Sequence, residues 1–155
     1  MSEIYLVFVV FLFVLAVFDL MVGVSNDAVN FLNSAIGAKV AKFRTIIIVA
    51  AVGVFMGATM SNGMMEVARN GVFHPAMFSL KELMFIFLAV MISDVILLDI
   101  FNNLGLPTST TVSLVFELLG GTTAFVLLKL ANDTTGLTVG DLMNTEKALG
   151  MIMAI

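Results

Sequence analysis

Four long apolar stretches run along the chain, at residues 4–24, 45–61, 83–102 and 110–131. Each approaches or exceeds the ~20 residues that an α-helix needs to cross the ~30 Å hydrocarbon core of a bilayer. This pattern predicts an all-α integral membrane protein with about four transmembrane helices. Because the chain would cross the bilayer several times, we expect a multi-pass protein of the cell membrane, surrounded by lipid.

The segment between the first two stretches, residues 25–44, is polar in its first half. That half is too short and too polar to cross a bilayer by itself, and Gly23 and Gly37 flank it. Irregular backbone at membrane depth is tolerated where it is buried in protein or lines a cavity. We therefore predict a broken or re-entrant helix in this segment.

Composition supports the membrane assignment and excludes other classes. The chain is 61% hydrophobic and only 12% charged, whereas a soluble domain of this size would need roughly a quarter of its residues charged. There is no cysteine, so disulfides and thiolate metal sites are excluded. No basic patch suggests a nucleic-acid partner.

The character of the chain changes after residue 131. Residues 1–131 hold all four apolar stretches, and residues 132–147 form a polar linker. Residues 148–155 are apolar again, but eight helical residues extend only ~12 Å. We therefore expect residues 148–155 to be the start of a further membrane helix, cut short. On this interpretation the chain is the front portion of a longer transporter, or a half that needs a partner.

A first polar cluster follows the first apolar stretch. On a helix, Asn26 and Asn30 lie four residues apart, as do Asn30 and Ser34, so their oxygens share one face. Asp27 adds one negative charge, and this donor set suits a small, hard, monovalent cation. The alternative is that Ser25 or Asn26 is an N-cap and the other side chains pack between helices.

A second cluster opens the last apolar stretch, in the sequence "GLPTSTT" (105–111). Pro107 interrupts the helix and disfavours helical backbone before it, so Thr108 or Ser109 is expected to cap a new helix. The free N–H groups at that helix start, with the hydroxyls of Ser109, Thr110 and Thr111, would form a cradle for an oxyanion. The alternative is an ordinary capped span whose hydroxyls bond back to the preceding turn.

Acidic residues within the later stretches form a third set. Asp94 and Asp99 are five residues apart and point in different directions, which makes a paired-carboxylate active site improbable. Asp94 is a candidate for an ion path or a proton relay, and Glu117 lies about two turns after Ser109. Asp99 and its neighbours mark the exit from the hydrocarbon. The residues assigned to a possible ion path are Ser25, Ser34, Asp94 and Glu117.

Three motifs in register resemble a known family. "GVSNDAVNFLNSAIG" resembles the G-x-N-D-x-x-N signature of the PiT family of inorganic phosphate transporters, and "GLPTSTT" resembles its G-L-P-x-S-T-T signature. A weaker match, "EVARNG" (66–71), is similar to an E-x-x-R-x-G stretch. The resemblance covers roughly residues 20–121.

The resemblance implies a cation-coupled symporter that imports phosphate, with sodium as a commoner coupling ion than the proton. Two inverted repeats would meet at a site in the middle of the membrane. Residues 1–131 would be the first transmembrane repeat, and the rest of the chain or a partner chain would supply the second. By this similarity, sodium would bind at Asn26, Asp27 and Asn30. Phosphate would be bound by a second set of residues: Ser109, Thr110 and Thr111. We expect no enzymatic activity, no cofactor apart from the coupling ion, and a homo-oligomer.

The sequence also departs from the family pattern. Val112 stands where the family usually has histidine, Phe116 and Glu117 where it has small residues, and residues 45–61 lack a glutamate that is common in the second span. The coupling ion is therefore open. The alternatives are a permease for sulfate or another oxyanion, a passive anion channel, an intramembrane hydrolase using Asp94 or Ser109, and a structural subunit that transports nothing.

Overall fold

The computed structural model describes residues 2–61, 66, 70–132 and 136–154. In these ranges four helices are long and apolar enough to cross a membrane: α1 (Ser2–Gly37), α2 (Phe43–Met60), α3 (Leu80–Leu104) and α4 (Thr110–Ala131). A 3₁₀ turn (Pro75–Met77) precedes α3, and the short helices α5 (Val139–Leu142) and α6 (Thr145–Ala154) follow α4. The all-α architecture with four spans is confirmed.

The predicted break in the first polar segment is wrong, because α1 is one continuous helix of 36 residues. At 1.5 Å per residue it is about 54 Å long. Gly23 lies within it and costs only about 1 kcal/mol relative to alanine, and the Ser25 hydroxyl donates to the Met21 carbonyl at 2.7 Å within the helix. The helix ends at Gly37, and Lys39 then adopts a left-handed conformation with φ 52°.

Helices α3 and α4 form a hairpin with well-defined ends. Ser79 and Glu82 form a capping box at the start of α3, which satisfies two backbone N–H groups. Gly105, with φ 68°, ends α3, as expected for a residue that must adopt the left-handed conformation. After the extended segment 106–109, Ser109 caps α4 by accepting from the Val112 N–H at 3.4 Å. The break predicted at Pro107 is therefore present.

The membrane helices pack in a chain of neighbours. α1 lies along α3, α3 lies along α4, and α2 contacts α1. Close approach of α3 and α4 depends on Gly121, where a Cβ atom would come within 3.3 Å of Val90 Cγ2. The apolar side chains of α1 and α2 are largely exposed, as expected for helices that face lipid.

A hydrophobic core lies at the end of the hairpin that is far from Pro107. Phe73 packs edge-on against Phe78 with 5.6 Å between ring centroids. Asn144 N–H donates to the Val72 carbonyl at 2.9 Å, which ties the segment before α3 to the segment after α4. Within the range predicted as a polar linker, Leu142 is fully buried in this core. The division into a repeat, a linker and a further helix stays a prediction.

Candidate functional site

The two polar motifs meet directly, in the middle of α1 and at the α3–α4 junction. Asn26 is only 2% exposed. Its Oδ1 accepts from the Thr108 N–H at 2.9 Å, and its Nδ2 donates to Asn102 Oδ1 at 2.8 Å and to the Leu106 carbonyl at 3.5 Å. The Asn26 amide therefore holds the end of α3 and the extended segment 106–109 against α1, because both its oxygen and its nitrogen have partners there.

Asn102 and Asn30 extend this network along α1. Asn102 Nδ2 donates to the Val22 carbonyl at 3.1 Å, one turn before Asn26. Asn30 Nδ2 donates to the Thr108 carbonyl at 3.4 Å, one turn after it. The predicted alignment of Asn26 and Asn30 on one helix face is present, and both side chains contact the turn.

Asp27 links the candidate cation cluster to the candidate anion cradle. Its Oδ2 accepts from Thr110 Oγ1 at 2.9 Å. Thr110 is the first residue of α4, where the N–H groups of Thr110 and Thr111 have no carbonyl partner within the helix. The side chains of Ser109 and Thr111 are exposed beside it. A carboxylate and a hydroxyl therefore meet at a helix N-terminus, where the helix dipole adds about half a positive charge.

A cavity of about 210 Å³ lies beside this contact, between α1, α3 and α4. Gly23 forms part of its wall, and a Cβ atom there would lie 3.7 Å from both Leu98 and Thr110. Among the described residues, the ionisable side chains that line the cavity are all acidic. Its polar lining is formed by Asp19, Asp27, Asp94, Thr110 and Thr111.

Asp94 and Glu117, both assigned to a possible ion path, lie close together at one side of the cavity. Asp94 is 5% exposed and interacts with Glu117 and Asp19. Glu117 Oε1 accepts from the Ser113 hydroxyl at 3.2 Å. Asp99 is exposed and accepts from Asn103 Nδ2 at 3.1 Å, so the two aspartates of α3 do point in different directions, as predicted.

The other residues assigned to the ion path lie elsewhere. Ser25 and Ser34 are exposed and outside the lining of the cavity. Ser25 bonds within α1. In the weak "EVARNG" motif, Glu66 accepts from Asn70 Nδ2 at 3.0 Å, whereas Arg69 lies outside the described residues. Among the described elements, α1, α3 and α4 supply all the residues that line the cavity.

Two residues of the site are missed by reasoning from the sequence. Asp19 lies within a predicted apolar span, and Asn102 lies among the predicted exit residues. A signal is present in both cases, because Asp19, Gly23 and Asp27 recur every four residues and so share one helix face. Asn102 likewise lies eight residues after Asp94, about two turns along α3, where the buried face continues.

The arrangement brings together groups of the kinds that bind ions. The described part of the chain has no group of three or more His, Cys, Asp or Glu side chains that could hold a metal ion. What it offers is a carboxylate, amide and hydroxyl oxygens, and a helix N-terminus, which are groups that bind an alkali cation and an oxyanion.

Comparisons with known proteins agree with the geometry. Residues 23–154 match the model of a family described as the phosphate transporter family. No curated protein and no solved structure matches the chain. The matched range contains both motifs and the hairpin. It confirms the resemblance proposed from the motifs, and it confirms that the chain is not an enzyme, because the family is one of transporters.

Proposed function

Since the chain belongs to the phosphate transporter family, we propose that it is a secondary active transporter that imports inorganic phosphate with a coupling cation, sodium in preference to the proton. The observation that carries this proposal is the 2.9 Å hydrogen bond from Thr110 Oγ1 to Asp27 Oδ2. It joins the candidate cation ligand to the candidate phosphate cradle at the edge of a cavity between membrane helices.

The charge of the cavity is the reason for coupling. Its ionisable lining, within the described residues, consists of carboxyl groups, so phosphate would meet like charges at short range in a medium of low dielectric. A sodium ion at Asp27 offsets that repulsion. By the resemblance to the PiT family, the side-chain oxygens of Asn26 and Asn30 would supply further ligands. Phosphate therefore binds after the cation.

Phosphate then docks at the start of α4. Sodium takes the place of the Thr110 hydroxyl at Asp27, and this frees the hydroxyl to donate to a phosphate oxygen. Ser109 and Thr111 add hydroxyl donors, and the N–H groups of the first turn point at the same place. Because none of the described residues that line the cavity is Lys or Arg, binding stays weak enough for release.

A second repeat and a homo-oligomer complete the proposal. Both follow from the resemblance to the PiT family. The exposure of Ser109 and Thr111 is compatible with a second repeat that covers the open side of the site. Alternating access would arise as one repeat rocks against the other around the bound ions.

Uptake of labelled phosphate into proteoliposomes tests the proposal, with the full-length gene product. We expect uptake that an inward sodium gradient drives and that Asp27→Asn abolishes, since the amide cannot neutralise sodium. Asp99→Asn is the matched control, because that side chain is an exposed aspartate of α3. It should transport like the natural protein.

Three outcomes would contradict the proposal. If Asp27→Asn took up phosphate at the natural rate, Asp27 would not be part of a coupling-cation site. Sulfate that competes with phosphate at equal concentration would favour a general oxyanion permease. Anion currents that persist without any cation gradient would favour a passive channel lined by the same hydroxyls.

A further inference from the structure

Three carboxyl groups from three different helices face one another inside the helix bundle. Asp19 comes from α1, Asp94 from α3 and Glu117 from α4. Asp94 is 95% buried, since it is 5% exposed. In the described residues its Oδ1 has no hydrogen-bond partner, nor does Glu117 Oε2. Asp94 lines the cavity together with Asp19, so a buried carboxyl group with an unpartnered oxygen lies beside a space that can admit a ligand.

The described neighbours of Asp94 supply no positive charge. From α1 it meets Asp19, and from α4 it meets Glu117 and the hydroxyl of Ser113. Asp27 lies on the same cavity wall. Lys129, the cation of α4, pairs with Glu82 at 3.0 Å near the far end of the hairpin. Three negative charges at this depth would repel one another, with no cation among the described neighbours to offset them.

A proton is the smallest charge that can offset this repulsion. The carboxyl groups interact in adjacent pairs, Asp19 with Asp94 and Asp94 with Glu117. Adjacent carboxyl groups can share a proton, with the acid O–H of one donating to the carboxylate oxygen of the next.

We propose that Asp19, Asp94 and Glu117 form a proton-binding site that is separate from the sodium site at Asp27. A proton that enters through the cavity adds to a carboxylate oxygen of Asp94, and the new O–H donates to Asp19 or Glu117. Release of the proton restores the carboxylate and the repulsion between α1, α3 and α4. Asp19 precedes Asp27 by eight residues, or about 12 Å along α1, so the two sites lie in one cavity without sharing a ligand.

Infrared spectroscopy of the reconstituted full-length protein tests this site directly. We expect a C=O stretching band of a protonated carboxyl group at neutral pH, which exchange into deuterated water shifts. Asp94→Asn should abolish or strongly reduce the band, and Asp99→Asn should leave it unchanged. If Asp94→Asn fails to fold, Glu117→Gln tests the same network, because it removes the other unpartnered acidic oxygen.

A band that is absent from the natural protein, or that survives in both Asp94→Asn and Glu117→Gln, overturns the proposal. The readout is independent of transport, which matters because phosphate itself titrates near neutral pH. Sodium-driven phosphate uptake in a protein without a protonated carboxyl band would contradict the proton site and support the proposed transport function. If the protein transported no phosphate but its band was lost in Asp94→Asn, the proton site would be supported and the proposed transport function contradicted.

Discussion

The two ends of the α3–α4 hairpin are held in different ways. At the junction end, residues 105–111 are bound to α1 by amide side chains, chiefly those of Asn26 and Asn102. At the far end, Phe73 and its apolar neighbours form a core, and Lys129 pairs with Glu82. The first end depends on directional hydrogen bonds, and the second mainly on buried apolar surface.

In the proposed function, the junction end serves ion binding and the far end anchors the hairpin. A hydrogen bond can be exchanged for an ion contact at little net cost, because both satisfy the same polar group. Apolar packing has no such substitute. If ions bind at Asp27 and Thr110 as we propose, the junction end can rearrange with them, while the far end keeps the hairpin and the segments around Phe73 in place.

Phe73→Ala should have the largest effect on stability. Loss of a fully buried aromatic side chain costs about 4 kcal/mol, and Phe73 is 2% exposed. We expect a lower melting temperature in detergent, with phosphate uptake per folded molecule retained. Phe116→Ala, at an exposed phenylalanine of α4, is the control and should change stability little. Loss of uptake in the folded fraction of Phe73→Ala would contradict the separation of the two ends.

Asn26→Ala should have a smaller effect on stability and a larger effect on transport. It leaves the Thr108 N–H and the Asn102 Oδ1 without their partner, and both bonds are part-buried, so we expect a loss of about 2 kcal/mol in total. Thermal unfolding and phosphate uptake should be measured on the same preparation. We expect uptake to fall much further than the folded fraction does. Asn103→Ala, at an exposed asparagine next to Asn102, is the control, and normal uptake by Asn26→Ala would show that the turn needs no support from α1.

Lys129→Gln should have the smallest effect. The pair with Glu82 is about a quarter exposed on each side, and such pairs contribute less than about 1 kcal/mol. The glutamine keeps much of the aliphatic stem over Phe78, so apolar contact is largely retained. A fall in melting temperature as large as that of Phe73→Ala would mean that charge, and not apolar packing, holds the far end.

Much of the architecture could be predicted from hydrophobicity alone. Each of the four apolar stretches overlaps one of the helices α1 to α4, because a helix satisfies its own backbone groups in lipid. The break at Pro107 was also predictable, since proline and the capping Ser109 act locally. The continuity of α1 was not, because polar residues in a helix do not interrupt it when their side chains find partners on another element.

The candidate site was likewise predictable from the sequence only in part. The residue types of Asp27, Ser109 and Thr110 indicate ion binding from the sequence alone, because charge and hydrogen-bonding capacity belong to the side chains themselves. The amide network of Asn26 and Asn102 is not evident there, since its partners lie 76 residues apart. Local spacing places side chains on one helix face, but it does not show which other helix that face meets.

By itself, then, the sequence determined the membrane class, the spans, the turn at Pro107 and the resemblance to a family of phosphate transporters. Only the tertiary structure decided that Asp27 contacts Thr110, that Asp19 joins Asp94 and Glu117, and that the segment around Leu142 is buried. The physical reason is the distance along the chain over which each kind of interaction acts. Backbone propensity and hydropathy act over a few residues, whereas a buried polar contact depends on how distant helices pack.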